Sequence, residues 1–315
     1  MRSSILSFFG HLTSKKRWSL LLIFFFLVGA SSFLLFPTQE TELAETIERD
    51  IVELLPSDGV QKEALADQID PIVEASDASF GIVIKSLTSD MSYEYHEHEQ
   101  FPSASLYKLW VMKVAYDQIA NGSLSREEVF DRDIVELNLI NDIATESAEK
   151  KEGRVTYTTE QAISQMITVS DNYAAYVLAD RIGLGKVRMF LEENNFTDSS
   201  IAVPPTTSAY DIARFYELLY KGRLSDPEQS EEMITLLKNQ QLNSKLPMLL
   251  PEDIVIAHKT GELGSITHDA GIVYTKKGDY IIVVLTDSDD PEQAIHVISE
   301  ISKTVYSFVV HNMYN

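Results

Sequence analysis

The sequence predicts an α+β fold, an α/β sandwich. An antiparallel sheet of about five strands comes from both chain ends and is flanked by helices, with an all-helical region beside it. Three observations carry this reading. Phe80–Ile84 and the alternating Met91, Tyr93 and Tyr95 read as two strands around a turn near Thr88–Asp90. The middle of the chain, from about residue 123 to 245, is mostly of helical periodicity. Ile254–Lys259, Ala270–Tyr274 and Tyr280–Thr286 return to strand patterning, the last two joined by a hairpin at Lys276–Asp279. A final helix follows Pro291, with Ile295, Ile298, Ile301, Val305, Phe308 and Val309 on one side.

Taken in order, Lys15, Lys16 and Arg17 precede an uncharged run from Trp18 to Phe36, which Pro37 ends. The run is long enough to cross a bilayer, and the basic residues before it predict an N-terminus inside and the bulk outside. Residues 1–37 are therefore read as a cytoplasmic tail and transmembrane signal-anchor, making a single-pass cell-membrane protein with an extracytoplasmic domain. Val28-Gly29-Ala30 has the small-residue pattern of a cleavage site near Ala30, which would release a secreted protein instead. Residues 38–56 read as an acidic helical stalk (Leu43, Ile47, Ile51, Leu54, Leu55), and residues 57–315 as the folded domain. A first helix over 57–76 carries Val60, Leu65, Ile69, Ile72 and Val73 on one side, with Pro71 as a kink or stop. The middle contains helices over Thr159–Ser170, Tyr173–Ile182, Lys186–Asn194 and Ser208–Lys221. The last of these opens on a capping box, Ser208-Ala-Tyr-Asp211, and closes at Gly222.

Composition narrows the function. The 315 residues, 44% hydrophobic, suffice for a sizeable core. Acidic residues outnumber basic ones 48 to 26, for a net charge of −22, which sets aside nucleic acid and anionic membrane surfaces as partners. The absence of cysteine excludes thiol catalysis, cysteine-ligated metals, disulfides and a lipidated cysteine. No cofactor and no metal is expected, and the chain is expected to be a monomer.

The chemistry centres on Ser105-Leu-Tyr-Lys108, ahead of an apolar run (Leu109, Met112, Ala115, Tyr116, Ile119) that Gly122 stops. On a helix, side chains three residues apart share a face, so the Lys108 amine can reach the Ser105 hydroxyl. A serine needs a neighbour to take its proton. A lysine whose pKa is lowered by burial and nearby cations can do so. Ser-x-x-Lys is common by chance, and a second copy, Ser147–Lys150, lies in a charged stretch read as solvated surface. What singles out Ser105 is its company. Ser170-Asp-Asn172 falls at a break between helices, and Lys259-Thr-Gly261 ends an apolar strand, where a glycine and a run of donors suit an anion. All three, in this order and in the contexts of helix start, interhelical loop and strand, form a strong signal.

On these motifs the chain resembles the class A β-lactamase-like serine hydrolases, kin of the penicillin-binding DD-peptidases, over roughly residues 57–312. The resemblance implies the β-lactamase/DD-peptidase fold. It implies Ser105 as the nucleophile acylated by a β-lactam or a D-alanyl peptide of peptidoglycan, and Lys108 as its base or proton relay. Ser170 would pass the proton to the leaving nitrogen, and Asn172 would bind the substrate's amide side chain. Lys259 and Thr260 would hold the substrate carboxylate beside Gly261. The backbone N–H groups of Ser105 and Glu262 would form the oxyanion hole. Asp171 would brace its loop.

The departures matter equally. Class A enzymes carry a Glu-x-x-Leu-Asn loop whose glutamate activates the deacylating water. Here Phe196–Thr207 runs directly into the Ser208 helix, and Asp198 is its only acid. The arginine many class A enzymes place after Lys-Thr-Gly is also missing, leaving His268 in Ser265–Ala270 as a candidate for that anion-binding task. Acylation chemistry is therefore expected to be complete and deacylation slow. A D-alanyl-D-alanine carboxypeptidase is the alternative enzyme, and a non-catalytic cell-wall-binding domain the alternative of another class. The absent glutamate favours the latter, and intact Ser105, Lys108, Ser170 and Lys259 oppose it. His96 and His98 form no metal site without a third ligand and read as a solvated loop. His258 is read as structural, Glu192-Glu193 and Glu231-Glu232 as solvated helix faces, and His296 and His311 as remote.

Overall fold

A computed structural model describes residues 58–312. The signal-anchor and stalk read from residues 1–56 lie outside them, and among the described residues no helix is long and apolar enough to cross a membrane. The order is α1 (Asp58–Glu74), β1 (Ser79–Ser86), β2 (Ser92–Tyr95), β3 (Phe101–Pro102), a 3-10 turn (Ala104–Tyr107) and α2 (Lys108–Ala120). Then come β4 (Val129–Asp133), α3 (Ile134–Ile140), β5 (Arg154–Thr158), α4 (Thr159–Thr168), α5 (Asn172–Ile182) and α6 (Leu184–Glu193). The chain closes with β6 (Thr206–Thr207), α7 (Ala209–Tyr220), α8 (Pro227–Lys238), β7 (Val255–Leu263), β8 (Ile266–Tyr274), β9 (Tyr280–Asp287) and α9 (Pro291–Asn312).

The expected five-stranded sheet is present, antiparallel throughout, in the order β2-β1-β9-β8-β7. Its central strands are apolar on both faces because both are covered. Phe80, Ile82 and Ile84 of β1 and Ile282 and Val284 of β9 pack with Leu65 and Ile69 of α1 and Ile298, Ile301 and Val305 of α9. The alternate residues Val83, Ile281, Val283 and Leu285 pack with Ile212, Phe215 and Leu219 of α7 and the helical region beyond. Strand alternation thus builds two cores from one sheet.

The sequence misplaces some details. Pro71 does not end its helix, since α1 runs on to Glu74. The middle is not wholly helical, because β4 and β5 form a small antiparallel pair. Ser208 caps α7 by accepting from Asp211 N at 3.2 Å, but the box is not reciprocal. The Asp211 carboxylate accepts from Asp198 N at 2.9 Å instead and ties the preceding loop to the helix. The complete capping box is at Thr158–Gln161, opening α4.

One glycine fixes how closely β7 and β8 approach. A Cβ on Gly271 would sit 2.5 Å from Ala257 O and 2.6 Å from the His258 Cβ. Gly271→Ala should therefore cost about 1–3 kcal/mol by overpacking, read as a lowered midpoint in urea; an unchanged midpoint would show that the strands separate freely there.

Candidate active site

α2 is apolar on every side, and Leu109, Trp110, Val111, Met112 and Ala115 are all buried, so it runs through the middle of the helical region. Ser105 is not on this helix. It sits in the 3-10 turn just before it, where side chains three apart eclipse, and Lys108 opens the helix proper. Ala104, immediately before the serine, has φ 44°. β7 holds this turn from the other side: a Cβ on Gly261 would lie 3.3 Å from both the Ala104 Cβ and Ser103 O. The glycine's close approach is to the chain's own Ser105 turn.

Lys108 is fully buried. Its Nζ donates to Ser170 O at 2.6 Å, Ser170 Oγ at 3.2 Å and Asn172 Oδ1 at 2.7 Å. Ser170 stands at φ 60°, a second left-handed residue at the site, strained backbone that its surroundings must hold. Asp171 does much of the holding. Its carboxylate caps α5 by accepting from Ala174 N at 2.7 Å, and its own N–H donates to Gln165 O at 3.1 Å.

From the sheet, fully buried Lys259 on β7 donates to Ser170 Oγ at 3.0 Å and to Thr260 O at 2.8 Å. The Ser170 oxygen thus accepts from two ammonium groups, which fills both lone pairs and leaves its hydrogen to donate elsewhere. Burial lowers Lys108 to about 8 against the raising fields of Asp171 and Glu149. Burial first, then the charges of Lys108 and Lys245, push Lys259 well below the usual lysine range.

Two residues the sequence reading passed over belong here. Glu149, in the stretch read as solvated surface, is exposed as expected, yet it accepts a hydrogen bond from Asn172 Nδ2. Lys245 is fully buried and ion-paired with Glu262, the residue after Lys259-Thr-Gly261. Buried Ser299 and Ser302 of α9 fix its segment, donating to Lys245 O at 3.0 Å and Leu246 O at 2.7 Å. Asp269 accepts from Leu246 N at 3.1 Å and lies 2.9 Å from His258 Nδ1, which gives His258 the structural place expected of it. No motif spacing announces Lys245; only the fold brings it to β7.

His268 is not the missing anion ligand. Its Nε2 donates to Pro102 O at 2.9 Å and its Nδ1 accepts from Thr286 N at 3.1 Å, and burial lowers it to about 4. It is a neutral brace between β3 and the sheet. Asp198 is likewise committed: His98 Nδ1 lies 2.7 Å from its Oδ2, and Ser208 Oγ donates to the same oxygen at 3.0 Å. His96 is 3.3 Å from Glu99, its near neighbour.

A family model described as "Beta-lactamase enzyme family" matches residues 64–309. The chain belongs to that family. It is a serine hydrolase of the β-lactamase type. It is 24% identical over 281 residues to the beta-lactamase VEB-1 of Pseudomonas aeruginosa, covering 80% of this chain and 92% of that one. It is 23% identical over 274 residues to the extended-spectrum beta-lactamase PER-1 of the same organism, covering 79% and 88%. Among solved structures, a beta-lactamase from Sphaerobacter thermophilus superposes with a TM-score of 0.69 at 20% identity, covering 78% of this chain and 97% of that one. PBP-A superposes at 0.67 with 23% identity, over 78% and 95%. These likenesses show the shared fold.

Replacing Glu262 by Gln leaves the Lys245 ammonium buried without its anionic partner, which should cost about 1–3 kcal/mol. Lys245→Met in the same background should recover part of that loss. Chemical denaturation of the single and double variants measures both; a Glu262→Gln protein as stable as the wild type would show that the pair contributes nothing.

Proposed function

We propose that this protein is acylated at Ser105 by β-lactams or D-alanyl peptides and that its acyl-enzyme is hydrolysed slowly. In the proposed step the Ser105 oxygen attacks the amide carbonyl and the carbon–nitrogen bond breaks. Lys108 takes the serine proton, and Ser170 delivers one to the departing nitrogen, recovering its own through the shared ammonium groups. The free hydrogen of Ser170 Oγ, with both lysines donating to its oxygen, suits that delivery. Lys259 and Thr260 hold the substrate carboxylate with the charge of Lys245 beside them, and Asn172 takes the amide carbonyl of the acyl group. The backbone N–H groups of Ser105 and Glu262 receive the oxyanion. We further place this domain outside the cytoplasm, tethered by the apolar run Trp18–Phe36, on the strength of the basic residues that precede it.

The observation that carries slow deacylation is the partner set of Lys108, which consists of Ser170 and Asn172 and includes no carboxylate. Asp198, the one acid in Phe196–Thr207, is bound to His98 and Ser208. A general base must first be within reach of the water it activates. The solved acyl-enzyme complex of a PBP-A mutant with penicillin G, at 23% identity and a TM-score of 0.66, accords with acylation by a penicillin.

Intact-protein mass spectrometry of the 58–315 unit with a penicillin tests the proposal. A persistent adduct is expected on the wild type and none on Ser105→Ala. Rapid product without a lasting adduct would overturn slow deacylation; neither adduct nor product would overturn the assignment of Ser105 to lactams. A second expectation concerns pH. A lysine acting as base must be neutral, so the second-order acylation rate should rise with pH and level off above about 8, the value to which burial lowers Lys108. A rate flat from about pH 6 to about pH 10 would remove Lys108 as the base.

A further inference from the structure

Asn172 is engaged at both ends of its amide. Oδ1 accepts from Lys108 at 2.7 Å, and an ammonium can only donate, so Nδ2 must be the end that faces Glu149. Glu149 is exposed, but its segment is anchored: the buried Tyr173 hydroxyl accepts from Lys150 N at 3.0 Å and donates to Lys150 O at 2.8 Å. The Glu149 charge reaches the site, opposing the burial that lowers Lys108 and adding to the burial that pushes Tyr176 up to about 12.

We propose that Glu149 makes the acyl side of this site selective for acyl groups that carry a protonated amine next to the amide carbonyl. This rests on the acyl-serine reading, in which the substrate's amide carbonyl accepts from Asn172 Nδ2. Nδ2 carries two hydrogens, so that carbonyl takes one while Glu149 keeps the other, and carbonyl and carboxylate then lie side by side on one nitrogen. A neutral acyl group gives the carboxylate no new partner. An ammonium one carbon from the carbonyl gives it a charged one. With a second carboxylate in that position it meets a like charge.

Three penicillins that differ at one carbon test this: ampicillin (amino), benzylpenicillin (no substituent) and carbenicillin (carboxylate). Their second-order rates of Ser105 acylation are measured on wild type, Glu149→Gln and Glu149→Lys, each first checked for an unchanged melting transition. The wild type should prefer ampicillin to benzylpenicillin by about threefold, the size of a partly exposed ion pair. Glu149→Gln should lose most of that preference, and Glu149→Lys should turn it toward carbenicillin. The general field of a chain at −22 also favours the zwitterion, but the Gln variant removes only one of those charges, so the field's share survives in it. Equal ratios in wild type and Glu149→Gln, with all three drugs acylating, would overturn this proposal alone. No acylation of the wild type by any of the three would overturn the acyl-serine reading and this proposal with it.

Discussion

Two fully buried ammonium groups sharing one serine oxygen are the constraint on which the rest of this molecule depends. Removing Lys108 and Lys259 from water is costly, and among the described residues neither has a carboxylate hydrogen-bonded to it to offset that cost. What they have is carbonyl and hydroxyl oxygen, from Ser170, Asn172 and Thr260. Such partners are too weak to hold both protons firmly, so the charged forms are disfavoured. That instability is what makes a lysine a usable base near neutral pH. Strain accompanies it: Ala104 and Ser170, the left-handed residues beside Ser105 and between the ammonium groups, persist because β7 packs on one turn and Asp171 caps the other.

The same constraint explains why the site lies where helices meet the edge of a sheet. β7 is the edge strand, with its inner ladder to β8 complete. Gly261, two residues beyond Lys259, lets the Ser105 turn approach it. Charge follows a similar logic. In a chain at −22, Lys108, Lys245 and Lys259 are all fully buried, and the charges of Lys108 and Lys245 both act on Lys259. On the proposed reading, that positive field is what meets the substrate carboxylate.

Much of this was legible in the sequence because its signals are local. Alternation gave the strands, periodicity gave α4, α5 and α6, and three short motifs in context gave the residues that meet at Ser170. The failures share a physical cause, which is that they depend on contacts distant in sequence. Lys245 reaches Glu262 through serines on the last helix, and Glu149 reaches Asn172 from a stretch whose composition reads as ordinary surface. His268 resembled an anion ligand by position alone, whereas the fold spends both its nitrogens on Pro102 and Thr286. The capping box at Ser208 failed in the same way, since a distant loop competed for Asp211.

The loop from Phe196 to Thr207 shows how small a change separates two chemistries on one scaffold. Its end pairs with Phe101-Pro102, and Pro205 O accepts from Ser103 N at 2.8 Å, so it is fastened directly beside the Ser105 turn. A carboxylate carried there would need to point at Lys108 and the acyl carbon. Asp198 is instead held by a histidine and by the serine that caps α7. To turn inward it would have to leave both, and its own N–H would have to leave Asp211. Those bonds fix the loop's conformation, so freeing the acid would loosen the wall behind the nucleophile. On the proposed reading, the apparatus that forms the acyl-enzyme and the group that would release it are separable: the first resides in buried lysines that the fold cannot dispense with, the second in a single side chain on a loop that holds together without it.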